Sequence, residues 1–209
     1  MHTQHDFETD QYYRFDMLNY LIKLYGYKSY LEIGAAAGYN FEKINCKYKV
    51  CVDPEKKYSK LTHNCTSDEF FKKNTETFDL IFIDGLHVSD QVIIDIENAL
   101  EFLNPMGTIM MHDCLPTSYE QQTKERTQWN WTGDVWKAFA HYRQRPDLTM
   151  FTCDTDFGLG FIKKGSQVPW ELPEDFDFDY YALHGFGLMN IHTVFQVWQI
   201  LQNLKTRNM

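Results

Sequence analysis

Apolar positions along this chain follow two different periods. Leu18, Leu21, Ile22 and Tyr25 fall at i, i+3, i+4 and i+7, which predicts an amphipathic helix over residues 11–25. An apolar run, Tyr30 to Ile33, then enters a turn of small residues, Gly34 to Gly38, and a helix is predicted over 40–47. Val50-Cys51-Val52 reads as a short strand ending at Asp53. Asp79 to Asp84 (DLIFID) is an unbroken apolar strand, the pattern of a parallel strand buried on both faces. Ser89 is placed to cap a helix whose Val92, Ile96, Leu100 and Leu103 share one face, and Asn104-Pro105-Met106-Gly107 is expected to end it. Thr108 to Met111 reads as the following strand and Asp134 to Arg143 as a helix. Leu148–Cys153 and Gly158–Lys163 read as a hairpin turning at 154–157. Val194, Val197, Trp198 and Leu201 put a helix near the end of the chain, packed on the core or on a second subunit of a homo-oligomer. Strands alternating with helices imply an α/β fold with a parallel, doubly wound sheet.

The turn after the first strand narrows the chemistry. Small residues there let backbone approach a ligand and the following helix closely. A dinucleotide fingerprint wants Gly-x-Gly-x-x-Gly, whereas here Ala36 holds the middle position, the second glycine, Gly38, comes four residues after Gly34, and Glu32 precedes the turn. A branched side chain at Gly34 is therefore expected to block ligand space while leaving folding intact. Asp53 follows Gly34 by nineteen residues, close to the interval at which Rossmann-type sites place a ribose-binding carboxylate.

In an open parallel sheet, ligands sit beyond the carboxyl ends of the strands. The predicted strands end at Gly34, at Asp53, at Asp84-Gly85-Leu86-His87 and at His112-Asp113-Cys114, so the unusual polar groups share one edge. Taken together, YLEIGAAAGYNF, VCVDPE, TSDEFF, FDLIFIDGLHVSDQVIIDIENAL, GTIMMHDCLP and GDVWKA resemble the class I S-adenosylmethionine (SAM) dependent methyltransferases. The resemblance is to a small bacterial-type group related to catechol O-methyltransferase-like enzymes, over about Tyr30 to Lys164. It implies a Rossmann-like, seven-stranded, mostly parallel sheet with a terminal antiparallel hairpin and helices on both faces. Residues 1–165 would be the SAM-binding domain, and 166–209 its helical extension. By position, Glu32, Gly34, Ala36 and Gly38 would surround the methionine part of SAM, Asp53 would hold the ribose, Ser67 and Asp68 would edge the adenine, and Asp84 would also face the cofactor. One departure is visible: thirteen residues separate Asp53 from Ser67, too few for a helix and a strand, so that crossover must be shortened.

The resemblance also implies Mg2+ or another divalent metal held by Asp84 and Asp113, carboxylates suited to hard cations. Cys114 is a soft group in the position of a third ligand, and His112 is the alternative. His87 and His112 could instead serve as general bases without a metal, so Asp84, His87, His112 and Asp113 form the candidate catalytic set. The loop 116–132 carries Trp129 and Trp131, which either cover substrate or fill core; Trp136, inside a helix, reads as core.

Composition excludes several classes. A net charge of -9 over 209 residues argues against nucleic-acid binding, and no stretch approaches a membrane span. The polar, acidic start MHTQHDFETD is unlike a signal peptide, and five scattered cysteines fit reduced thiols, so a cytoplasmic location is expected. The function expected is methyl transfer to an oxygen of a small-molecule or sugar-like acceptor. The alternatives are a SAM-binding protein without catalysis and a nicotinamide-dependent oxidoreductase.

Overall fold

The computed structural model describes residues 12–207. One seven-stranded sheet runs through it, with helices on both faces. In chain order the elements are α1 (Arg14–Tyr25), β1 (Ser29–Ile33), α2 (Tyr39–Lys43), β2 (Tyr48–Val52), α3 (Ser67–Lys73), β3 (Phe78–Ile83), α4 (Ser89–Glu101) and β4 (Leu103–Met111). There follow a 3-10 turn (Tyr119–Gln122), α5 (Val135–Tyr142), β5 (Leu148–Cys153), β6 (Leu159–Lys164), α6 (Phe178–Leu188), β7 (Ile191–His192) and α7 (Val194–Arg207). Strand order is β2-β1-β3-β4-β6-β5-β7. β2, β1, β3 and β4 are mutually parallel; β6 runs antiparallel to both β4 and β5. The chain reverses its direction of travel across the sheet between β1 and β3, the switch point where such sheets open a crevice.

The period-2 alternation of each strand feeds two separate cores. Leu31, Ile33, Ile81, Ile83, Ile109 and Met111 point to one face, under α3, α4 and α5. Tyr30, Cys51, Leu80, Phe82 and Met110 point to the other, where they meet Leu18 and Leu21 of α1, Phe41 of α2, and Val197 and Leu201 of α7. The C-terminal helix thus packs on this core. Trp136 is fully buried in the first layer, as its helical position suggested. All five cysteines are free. Among the described residues no helix is long and apolar enough to cross a membrane.

Several expectations shift. The helix expected over 11–25 is described from Arg14, and residue 11 and the MHTQHDFETD start lie outside the described residues. The helix expected over 40–47 is only α2, Tyr39–Lys43, and Lys49 closes its end: its Nζ donates to the carbonyls of Phe41 (2.7 Å) and Ile44 (3.0 Å). Leu103 and Asn104–Gly107 belong to β4 rather than to a helix face and its stop. The register slips between Phe78↔Leu103 and Leu80↔Thr108, a bulge that takes up Pro105, which has no N–H for the ladder. Ser89 does not cap α4; its N–H and hydroxyl both donate to the Asp134 carboxylate (2.6 and 2.9 Å), so an acid at the start of α5 anchors the start of α4. The short crossover after Asp53 contains no strand, only a bridge between Val52 and His63, and the seventh strand is supplied by β7 at the opposite edge, parallel to β5.

The turn after β1 shows why Gly34 is a glycine. It has φ +91°, and a Cβ there would fall on the carbonyl of Asp84. The space is filled by backbone of the neighbouring strand end, not by ligand, which overturns the expectation that Gly34→Val folds normally. Gly34→Ala is accordingly expected to lose at least about 2 kcal/mol of stability in urea titration, the cost of a forced left-handed residue plus a backbone clash. An unchanged denaturation midpoint would contradict that packing.

Candidate active site

Register alone gathers the polar groups. Val52, Ile33, Ile83 and Met111 lie in one row across four parallel strands, so the next residues, Asp53, Gly34, Asp84 and His112, emerge side by side at the carboxyl edge. Main-chain bonds carry the ladder one step further: Gly34 N–H to Val52 C=O (2.9 Å), Asp84 N–H to Ile33 C=O (2.9 Å) and His112 N–H to Ile83 C=O (3.1 Å). Asp113 then turns at φ +61°.

A compact charged cluster results. Asp84 Oδ1 lies 3.3 Å from His87 Nε2 and 3.4 Å from His112 Nδ1; Asp113 Oδ2 lies 3.1 Å from His87 Nδ1 and 3.0 Å from His112 Nδ1. Two residues absent from the sequence-based set complete it. Arg14, the first residue of α1, donates from Nη1 to Asp84 Oδ2 (2.6 Å) and from Nε and Nη2 to Asp156 (2.9 and 3.1 Å). Asp156, in the β5–β6 turn, also accepts from the Arg14 backbone N–H (2.8 Å) and lies 3.4 Å from His112 Nε2. Asp156 and the adjacent Phe157 are held at φ +46° and +60°, strained values that the surrounding contacts must sustain.

Three carboxylates facing one guanidinium and two imidazoles set each other's charge. Burial opposes ionisation of Asp84, but His112, His87 and Arg14 outweigh it and hold the carboxyl well below the usual range. Burial likewise opposes the His112 imidazolium, yet Asp84, Asp113 and Asp156 keep His112 well above its ordinary value, and His87 is raised by Asp84 and Asp113 against the same penalty. Asp156 is depressed, burial being overcome by His112 and Arg14. Despite the short distances, His87 Nδ1 and both nitrogens of His112 are buried without an aligned hydrogen bond.

Three cavities meet at this cluster. One, of about 220 Å³, is walled by Asp84, His87, His112, Asp113, Trp129, Trp131 and Phe157, with Arg14 on its rim. A second, of about 340 Å³, lies over the turn and holds Glu32, Gly34, Ala36, Asn40, Lys43, Arg14 and Asp84. A third, of about 500 Å³, runs past Gly34, Ala36, Asp53, Ser67, Asp84, Arg126 and Trp131. Asp84 borders all three.

Among the sequence-based candidates, Glu32 lines the second cavity. Burial pushes its carboxyl up to about 7 even though Tyr30 OH (2.5 Å) and Asn40 Nδ2 (2.8 Å) both donate to its Oε2. Asn40 Oδ1 is buried without a partner and was not foreseen. Asp53 borders the third cavity, but its carboxylate also organises the turn, accepting from Ala36 N–H (2.8 Å) and Glu55 N–H (2.7 Å). Ser67 lines the same cavity; the helix there is capped by Thr66, not by Ser67. Two candidates depart from expectation. Gly38 is not among the lining residues: at φ +80° it starts α2, and a Cβ would strike the Tyr58 ring. Asp68 is exposed and bonded to Gln91, outside the cavity lining. Cys114 is buried with its thiol pushed up by burial, its Sγ near the His112 carbonyl (3.7 Å), and is no ligand for the cluster. Trp131 stacks on His87 at 5.1 Å and Trp129 is almost fully exposed on the same cavity, so both belong to the site rather than to the core.

Residues 31–114, from β1 to just past Asp113, match the family model described as a methyltransferase domain. Solved structures share this fold. A candidate caffeoyl-CoA O-methyltransferase from Staphylococcus aureus is 20% identical, with a TM-score of 0.57 over 76% of this chain and 87% of the other. The O-methyltransferase TomG from Streptomyces achromogenes, solved with SAM, is 14% identical, with a TM-score of 0.55 over 73% and 80%. The Podospora anserina methyltransferase PaMTH1, solved with S-adenosylhomocysteine (SAH), is 18% identical, with a TM-score of 0.55 over 73% and 78%. A comparison with curated proteins finds no sequence match.

The charged cluster has a pH signature. A depressed Asp156 contributes stability that is present above its unfolded pKa and lost as pH falls toward the folded one. Asp156→Asn should therefore destabilise the protein by about 2 kcal/mol at pH 7, with the gap narrowing below about pH 4. Urea titrations at both pH values would check this, and a gap independent of pH would show that Asp156 acts by packing alone.

Proposed function

We propose that this protein is a methyltransferase that moves the methyl group of SAM to an oxygen of a small-molecule acceptor, sugar-like acceptors included. The observation that carries the reading is that two cavities joined at Gly34, Ala36 and Asp84 meet a third at a buried acid and imidazole cluster. The joined pair suits an elongated ligand. Asp53 and Ser67 border the end suited to a nucleoside, while Glu32 and the unpaired Asn40 Oδ1 offer acceptors to an ammonium group at the other. SAM supplies a methyl group on a positively charged sulfur. When the carbon–sulfur bond breaks, its electron pair stays on sulfur and the acceptor oxygen takes the carbon. The chain's own part is to align that oxygen and accept its proton. His87 and His112 face the acceptor cavity for this purpose. Asp84 and Asp113 raise both imidazoles, with Asp156 acting on His112 as well, and a cation sharing those carboxylates would favour their proton-accepting form.

Asp84, His87 and Asp113 are also the residues that would hold a divalent cation. Their ligand atoms lie within 4.8 Å of one another, and the unaligned imidazole nitrogen of His87 fits a missing positive partner. Two carboxylates and an imidazole suit Mn2+ or another borderline cation better than Mg2+, and His87 takes the third place rather than His112 or Cys114. A cation there would lower the pKa of an acceptor hydroxyl. Residues 1–165 would form the SAM-binding unit and 166–209 its extension. Buried acid and imidazole groups in a separate cavity disfavour a non-catalytic SAM binder, and Ala36 in place of a middle glycine disfavours a nicotinamide enzyme.

Calorimetry with SAM and with NAD tests the reading: SAM should bind, and binding of NAD without SAM would reject it. Because Glu32 sits at about 7 and an ammonium partner needs it ionised, SAM affinity should rise as pH climbs through about 7 and then level off. Glu32→Gln should weaken binding and abolish that slope. Asp113→Asn should lower turnover about 100-fold with SAM affinity nearly intact, a loss typical of one electrostatic group. Chelation should mimic it, with Mn2+ or Mg2+ restoring the wild type; full turnover in excess EDTA would exclude the metal and leave the proton to His87 or His112.

A further inference from the structure

Arg14 occupies the place where the proposed cofactor and acceptor cavities meet. Arg14 and Asp84 line both the cavity over the turn and the acceptor cavity, and among the described residues no other lines those two; His87 and Trp131 link the acceptor cavity to the nucleoside end instead. The sulfur of SAM lies between the nucleoside and the amino-acid parts, so in the joined cavity it falls near the shared residues Gly34, Ala36 and Asp84. Asp84, which borders all three cavities and is bonded to Arg14, then lies beside its methyl. Left alone, the Asp84 carboxylate would bind a sulfonium strongly, and binding the positively charged ground state better than the transition state slows transfer. Arg14 removes that hazard, since Nη1 takes Asp84 Oδ2 at 2.6 Å while Oδ1 stays turned toward the two imidazoles. Asp156 fixes the guanidinium in that pose through Nε, Nη2 and the Arg14 backbone N–H.

We propose that Arg14 is a positioning residue for the transfer step, which neutralises Asp84 and places positive charge beside the sulfonium so that charge is relieved as the methyl leaves. The inference rests on the SAM reading above. It predicts discrimination between charged SAM and its neutral product SAH, measurable without an acceptor.

Calorimetry with SAM and SAH on the wild type, Arg14→Met, Arg14→Lys and Asp156→Asn supplies the test. Arg14→Met should shift the ratio of affinities toward SAM by roughly tenfold, the size of one partly screened charge pair. Arg14→Lys should keep the wild-type ratio. Asp156→Asn, which leaves Arg14 less compensated, should shift the ratio toward SAH. Retained SAH binding shows that each variant is folded, and a purely structural Arg14 would move both affinities together. An unchanged ratio in both Arg14→Met and Asp156→Asn, or a shift of opposite sign, overturns the proposal. Failure of the wild type to bind either compound overturns the SAM reading instead.

Discussion

A half-buried carboxylate where three cavities join has to be compensated, and the compensation of Asp84 organises everything around it. One oxygen takes the Arg14 guanidinium, and the other faces two imidazoles. Arg14 in turn is held by Asp156, which draws the β5–β6 turn over the sheet edge and ties the start of α1 to it. Three acids and three basic groups come close to balance only with both imidazoles protonated. The carboxylates accordingly hold both imidazoles above their ordinary values.

The sheet makes this cluster possible at little cost. Four parallel strands in one register row deliver Asp53, Gly34, Asp84 and His112 to the same level, and the main-chain ladder holds three of them in place. Close approach between β1 and β3 is what forbids a side chain at Gly34. The same turn is then fixed from β2, where Asp53 accepts from Ala36 N–H. The geometry of this cavity edge is thus maintained by the packing of the strands themselves, and residues such as Asp53 serve the fold and the cavity together.

Much of this was legible along the chain. The long apolar run in β3, the helical spacing in α4 and α7 and the hairpin of β5 and β6 are local signals, and local periodicity is enough to read them. Placing Asp84, His87, His112 and Asp113 together needed only the rule that parallel strands present their carboxyl ends at one edge. Asp156 was within reach of that rule, because β4 and β5 both run antiparallel to the β6 between them and so end at the same edge, yet its turn was read as a turn only.

What periodicity could not supply depends on contacts between distant segments. Arg14 lies 70 residues from Asp84 and 142 from Asp156, and nothing in its neighbours distinguishes it from a solvated helix arginine. The bulge that brings Leu103 into β4, the capping of α4 by Asp134 and the β7 strand at the sheet edge all arise from packing across the sheet. Chain order carries the strand pattern and the chemistry at each strand end, since both depend on neighbours in sequence. Charge balance and close packing depend on neighbours in space, so only the folded molecule decides which acid pairs with which base and which glycine faces backbone rather than ligand.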